Sequence, residues 1–241
     1  MVCSFADPDK IKEWIEICSL MKEMGQVVCF LFSPTELRIQ MKHPSNRSIL
    51  DMTFPSAWFS FYDWKETELY LYTRSLWTIF SRYSGEKIIS MESEKKHLLI
   101  KCFHEKQNKN FSIPLLYDPQ KIIHVHCDPG IEVTVDPSFF HTLCKELHAY
   151  DNLVYFHVKK EFFHMISRRE EKMVVEVQPM MLGGELPDET KYENTFELVY
   201  LLLFLKCSSL YPSMKVHLSN LLSFTLEKEY TLHYYVCSTK S

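Results

Sequence analysis

Phe5-Ala6-Asp7-Pro8 and Val135-Asp136-Pro137 open two stretches of the same character, with their aspartates 129 positions apart. In each, Asp suits a helix N-cap, and Pro suits the first helical position, where its missing N–H leaves no bond unmade. Behind the first pair, Ile11, Trp14, Cys18 and Met21 recur at helical spacing until Gly25; behind the second, Phe140, Leu143, Cys144 and Leu147 do the same. Both helices run on into alternating, strand-like segments. The chain therefore reads as one unit of roughly 120 residues present twice, a size at which each copy can bury its own core. Two such copies sharing a curved sheet offer a surface that holds a partner rather than a cleft that cuts one.

Period-two alternation predicts strands in the first copy over 27–32, 37–41, 48–54, 69–72, 88–91, 98–103 and 110–116. Thr73 is expected to cap a second helix through Leu76, Ile79, Phe80 and Tyr83 that stops at Gly85. Prolines and Gly130 place a connection over 118–131. This divides the chain into domains 1–117 and 132–241, with 124–127 as a bridging strand. The second copy follows with a helix from Asp136 to about Ala149 and strands over 153–159, 162–168 and 173–178. A fourth helix is expected over 195–208, and closing strands over 214–218, 223–227 and 231–237.

Composition narrows the function. The 46% apolar fraction with 14% aromatics belongs to a folded chain. Only 5 glycines occur and no phosphate-cradling glycine motif is formed, which argues against a nucleotide-dependent enzyme. The eight cysteines (Cys3, Cys18, Cys29, Cys102, Cys127, Cys144, Cys207 and Cys237) show no C-x-x-C spacing, so reduced, structural thiols in an intracellular protein are expected. The longest apolar run, Leu198 to Leu205, is too short to cross a bilayer, which needs about 20 residues, so no membrane partner is expected. A net charge of −4 means that any affinity for a polyanion must come from local charge.

That local charge lies on the helices. At 100° per residue the uncovered face of the second helix is Arg74, Ser75, Thr78, Ser81 and Arg82. The third helix exposes Ser138, His141, Thr142, Lys145 and His148, and the first exposes Lys12, Glu16, Ser19 and Glu23. Small polar residues mixed with cations suit loose contact with a phosphate backbone. Ordinary solvated helix faces would carry the same residues, and that alternative stays open here.

Helix, strands, helix, strands, given twice, resembles the sliding-clamp family of proliferating cell nuclear antigen, as does the closing segment Leu232-His233-Tyr234-Tyr235-Val236-Cys237. Within that superfamily several segments look most like the Rad-nine subunit of the nine-one-one checkpoint clamp. They are Ser45-Asn46-Arg47-Ser48, Ala57-Trp58-Phe59-Ser60-Phe61-Tyr62, Leu76 to Arg82, and His124-Val125-His126-Cys127-Asp128. That subunit carries a long phosphorylated tail after its closing strand, whereas the sequence read here ends at Ser241, which leaves the tail an open question.

The resemblance implies an α+β clamp fold: two similar domains, each with antiparallel sheets outside and two helices inside, forming a ring as a trimer. It implies no enzyme activity, no cofactor and no metal. It implies a nuclear location, with double-stranded DNA, two other clamp subunits, a clamp loader and clients with short docking motifs as partners. The residues expected at DNA are Lys12, Arg74, Arg82, His141, Lys145 and Lys206, and those of a client groove are Met41, Leu115, Leu116, Tyr235 and Val236. On the fourth helix, positions that carry charge in replication clamps fall on Val199, Leu202 and Lys206, so only the last keeps a charge; this favours a specialised subunit of a heterotrimeric checkpoint clamp. A divergent homotrimeric replication clamp is the alternative.

Chemistry supplies one competing reading. The carboxylates Asp51, Asp63, Glu66 and Glu68 would make a metal-dependent nuclease if they converged. His124 and His126 would share a strand face with Cys127 opposite, so no zinc set is expected there.

Overall fold

The computed structural model describes residues 1–82, 87–104, 107–117, 122–159, 162–167, 173–177, 181–183, 192–206 and 211–239. The chain divides into two compact units. The first comprises Met1–Pro44, Leu50–Ile123 and Glu229–Thr231; the second comprises Ser45–Ile49, His124–Lys228 and Leu232–Ser241.

The elements of the first half are β1 (Val2–Phe5), α1 (Pro8–Met24), β2 (Val27–Phe32), β3 (Glu36–Lys42), β4 (Ser48–Pro55), β5 (Phe61–Asp63), β6 (Thr67–Tyr72), α2 (Thr73–Phe80), β7 (Ile88–Glu94), β8 (His97–His104) and β9 (Gln107–Pro114). Those of the second half are β10 (Ile131–Val135), α3 (Pro137–Tyr150), β11 (Leu153–Lys159), β12 (Phe162–Ile166), β13 (Val174–Val177), β14 (Met181–Gly183), β15 (Tyr192–Glu197), α4 (Leu198–Leu205), β16 (Met214–Leu218), β17 (Leu221–Glu227) and β18 (Thr231–Cys237).

The two series match element for element, and so do their strand orders. In the first unit one sheet runs β5-β1-β7-β8-β9 and a second layer runs β4-β3-β2-β6; in the second unit the corresponding orders are β14-β10-β16-β17-β18 and β13-β12-β11-β15. The duplication read from the two Asp-Pro pairs is thus a repeat of topology. Both pairs form the expected caps: the Asp7 carboxylate accepts from Asp9 N at 2.9 Å, and Asp136 accepts from Phe139 N at 2.7 Å, each with Pro at the start of the helix.

Each unit has its own aromatic core. In the first, Trp14 is fully buried with the rings of Phe5, Phe30, Phe54, Trp58 and Phe80 at centroid distances of 5.4 to 6.2 Å. Burying rings of this size dominates the stability of such a core. In the second, Phe140 lies 6.0 Å from Phe224 and Phe204 stacks 4.7 Å from Tyr234, whose hydroxyl donates to Tyr200 O.

Several sequence expectations need correction. The fourth helix begins at Leu198, because Thr195 to Glu197 are committed to β15, where Thr195 pairs with Tyr155 of β11. The second helix ends at Phe80, and Tyr72 rather than Thr73 holds its N-cap position; the Thr73 hydroxyl instead donates to Gly25 O at 2.5 Å. Residues 124–127 form no strand. Period-two alternation marks none of the strands β1, β5, β10, β14 and β15. The ends expected for the second and fourth helices, at 83–85 and 207–208, lie outside the described residues.

Candidate nucleic-acid interface

In the first unit α1 and α2 pack together and leave Lys12, Arg74 and Arg82 exposed. Arg74 is among the residues that line a groove of about 910 Å³ formed by the end of α1, α2 and the strand β9. Inside it Lys22 Nζ sits 3.7 Å from the centre of the Trp77 ring, a cation–π contact close enough to hold both side chains in place. Tyr72, 46% exposed, and Phe111 extend the apolar lining. The lining thus combines two cations, Lys22 and Arg74, with the rings of Tyr72, Trp77 and Phe111. α1 also carries Glu16 and Glu23 on its outer side, so its positive charge is diluted.

In the second unit α3 exposes Ser138, Thr142, Lys145 and His148 as expected, and Phe139 and Glu146 beside them. His141 is half-buried and its pKa is lowered, first by burial and then by the ammonium groups of Lys145 and Lys206. The expected cations His141, Lys145 and Lys206 are therefore brought within electrostatic range of one another, although Lys206 follows α4 and the other two lie on α3. Such a cluster resists protonation in water and favours it beside a polyanion. The rest of the outer face of α4 is apolar, with Val199 54% exposed.

The expected client groove fares differently. Met41 is 2% exposed and Val236 is fully buried, so both are core residues, not groove lining. Val236 alternates along its strand with partly exposed neighbours, whereas Met41 follows the buried Ile39 and Gln40 on a strand that is covered over its second half. Leu115 and Leu116 are partly exposed and tied by their backbone N–H groups to Lys96 O and Tyr70 O, both at 2.9 Å. Tyr235 is partly exposed, with its ring stacked 6.1 Å from His233.

The carboxylates weighed for a nuclease are dispersed. Asp51 accepts both Nε and a terminal nitrogen of Arg38, together with Gln40 Nε2. Glu68 accepts from the Tyr70 hydroxyl at 3.1 Å. Among the described residues no three His, Cys, Asp or Glu side chains converge to hold a metal ion. No described helix is long and apolar enough to cross a membrane.

Sequence reasoning did not single out the Lys22–Trp77 groove; the available signal was a tryptophan on the outward side of α2 facing a lysine in the last turn of α1.

No protein-family model matches the chain, and no curated protein matches it. Solved structures do. A chain of the PCNA2–PCNA3 complex from Sulfolobus tokodaii superposes with a TM-score of 0.84 at 12% identity, covering all of both chains. PCNA from Thermococcus kodakaraensis superposes at 0.86 and 13% identity over 98% of this chain and 99% of its own. The chain has the PCNA clamp fold. At these identities the likeness is one of fold, so the surfaces have to be read from this chain's own side chains.

Proposed function

We propose that this clamp-fold chain is a non-enzymatic DNA clamp subunit that joins two others in a ring around duplex DNA and tethers repair or signalling proteins there. The observation that carries it is the repeated topology with a cationic helix layer in each copy: Lys12, Arg74 and Arg82 in one, His141, Lys145 and Lys206 in the other. Phosphate contacts from such flexible cations are independent of base sequence.

Ring assembly needs two strand edges, and among the described strands that end a sheet β9 in the first unit and β13 in the second suit it. β9 ends its sheet in the first unit, with Phe111 and Ile113 on its inner side; β13 ends its layer in the second unit, with Val175 and Val177 inward. A strand that ends its sheet pairs with another chain when nothing covers it. The edge of one subunit against the opposite edge of the next makes a head-to-tail contact that closes as a ring. Partners are two other clamp subunits, a clamp loader and clients with short docking motifs, in the nucleus.

The first reading is a heterotrimeric checkpoint clamp, favoured by the apolar Val199 and the partly exposed Leu202 on α4, which leave DNA contact to the partner subunits. The second is a divergent homotrimeric replication clamp, favoured by the likeness to PCNA chains. Light scattering on the purified chain separates them. A stable trimer of the chain alone removes the checkpoint reading, and a monomer that assembles only with two other clamp-like chains removes the replication reading. Robust cleavage of DNA with Mg²⁺ or Mn²⁺ would remove both.

A further inference from the structure

The groove between the last turn of α1, α2 and β9 holds charge of one sign. Lys22 and Arg74 line it, and no Asp or Glu is among the described residues that do, although the chain as a whole carries more acids than bases, 31 against 27. Arg74 and Trp77 are three residues apart on α2 and so share a face of that helix; Tyr72, 46% exposed, precedes them, and Ser75 and Thr78 add neutral hydroxyls to the lining. Trp77 is partly exposed, whereas Trp14, Trp58 and Trp64 are at most 3% exposed, so Trp77 is the tryptophan that solutes reach. With Lys22 Nζ 3.7 Å from its centre, the Trp77 ring meets a flexible charged stem on that face.

We infer that this groove is a subsite for single-stranded DNA, distinct from the duplex contact proposed above and independent of ring closure. Unpaired bases stack on aromatic rings while their phosphates need cations, and a groove that offers both without an acid suits a single strand of any sequence. A duplex keeps its bases stacked on one another, so Trp77 and Tyr72 gain nothing from it; an unpaired strand uses the rings and the cations together. Arg74 belongs to both surfaces, so a strand leaving the end of a duplex passes into the groove without leaving positive charge. When a base reaches the Trp77 ring, the Lys22 ammonium exchanges the ring for the adjacent phosphate, a movement its four-carbon stem allows. The hydroxyls of Ser75 and Thr78 donate to phosphate oxygens and read no base. β9 keeps its backbone edge for a neighbouring subunit and gives the groove its inner side chains. The subsite therefore takes the unpaired strand at a junction or a gap.

Titration of the full chain with an oligothymidylate of about 15 nucleotides, read by tryptophan fluorescence and by anisotropy of the labelled strand, tests the subsite. A duplex of the same length is titrated in parallel. The expected result is quenching of Trp77 by the single strand, at an affinity that rises as salt falls. Trp77→Ala should weaken single-strand binding by about fivefold or more, the loss of one stacked base. Lys22→Gln should weaken it too and flatten its salt slope by about 0.7. Neither variant should change duplex binding. Melting curves confirm that the variants fold, and Tyr72→Ala, at an exposed ring, serves if Trp77→Ala does not. Absence of quenching by the oligothymidylate, single-strand affinity unchanged in the ring variants, or quenching by a glutamate-rich peptide in its place overturns the proposal. Duplex binding absent while the oligothymidylate still quenches Trp77 removes the clamp reading and leaves this subsite standing.

Discussion

The carboxamide of Gln40 closes two hydrogen bonds on the main chain of Ile123: its Nε2 donates to Ile123 O at 2.9 Å, and its Oε1 accepts from Ile123 N at 2.7 Å. Gln40 is buried, and the same Nε2 also donates to Asp51, which Arg38 holds from the other side. A side chain in β3 thus acts as a short piece of strand for the segment leaving the first unit. Gln40→Ala removes both bonds and leaves Asp51 with fewer donors. Each lost bond is worth about 0.5–1.5 kcal/mol, so a loss of about 1–3 kcal/mol is expected, with faster hydrogen exchange at the Ile123 amide. Protection at Ile123 that survives the substitution would show that other contacts hold this segment.

Trp14 supplies the second prediction. Its ring is central to the first unit's core, while its indole N–H has no hydrogen-bond partner among the described residues. Trp14→Ala should cost about 3–5 kcal/mol, read as a large fall in Tm, through the cavity it opens. Trp14→Phe keeps an aromatic ring and loses no hydrogen bond, so it should cost clearly less. Equal losses would mean that the indole N–H carries the stability.

Thiol chemistry should follow burial. Burial pushes the Cys3 thiol up to about 12 and Cys29 to about 11, and Cys18 also rises well above its ordinary value. Thiolate is the reacting form, so these groups should resist iodoacetamide in the native protein. Among the described cysteines, the partly exposed Cys237 should be labelled first, followed by Cys127, whose thiol burial also raises, as peptide mapping by mass spectrometry can show. Early labelling at Cys3 would contradict its place in the core.

Acid should weaken the second unit through His141. Burial, then Lys145 and Lys206, hold its pKa below the ordinary value of 6.5, so the unfolded chain takes up this proton at a higher pH than the folded chain. The contribution of His141 to stability is therefore full above about pH 6.5 and falls as the pH drops through that value toward the lowered one. Lys145→Gln should move the His141 titration, followed by NMR, upward and reduce the loss in acid. Added duplex DNA should move it upward as well. A midpoint unaffected by both would separate His141 from the cations and from the phosphates.

Much of this fold was legible because the deciding signals are local. The Asp-Pro caps and the alternating strands 27–32, 153–159, 214–218 and 231–237 depend on neighbours within a few residues, and the structure places them where the pattern does. The misreadings arose where tertiary pairing decides. Helix α4 is apolar on nearly every side, so no periodicity marks its start, and β11 claims Thr195 for the sheet. Strands of three residues such as β5 exist only through their partner, here β1. At the candidate interface, His141 and Lys145 are one turn apart and visible as a pair, whereas Lys206 joins them from beyond another helix. The inward turn of Val236 follows from strand register, and the burial of Met41 from the cover over the second half of β3; spacing along the chain states neither.

The central claim is that cations of both units face duplex DNA, and its most direct measurement is the salt dependence of DNA binding by the assembled ring, for the wild-type chain and for a variant with Arg74, Arg82 and Lys145 all changed to Glu. Each phosphate contact contributes about 0.9 to the slope of log affinity against log salt. The expected result is weaker binding, with a slope flattened by about 2–3 per variant subunit. A slope unchanged from wild type would place these three side chains away from the duplex and contradict the clamp reading of this surface.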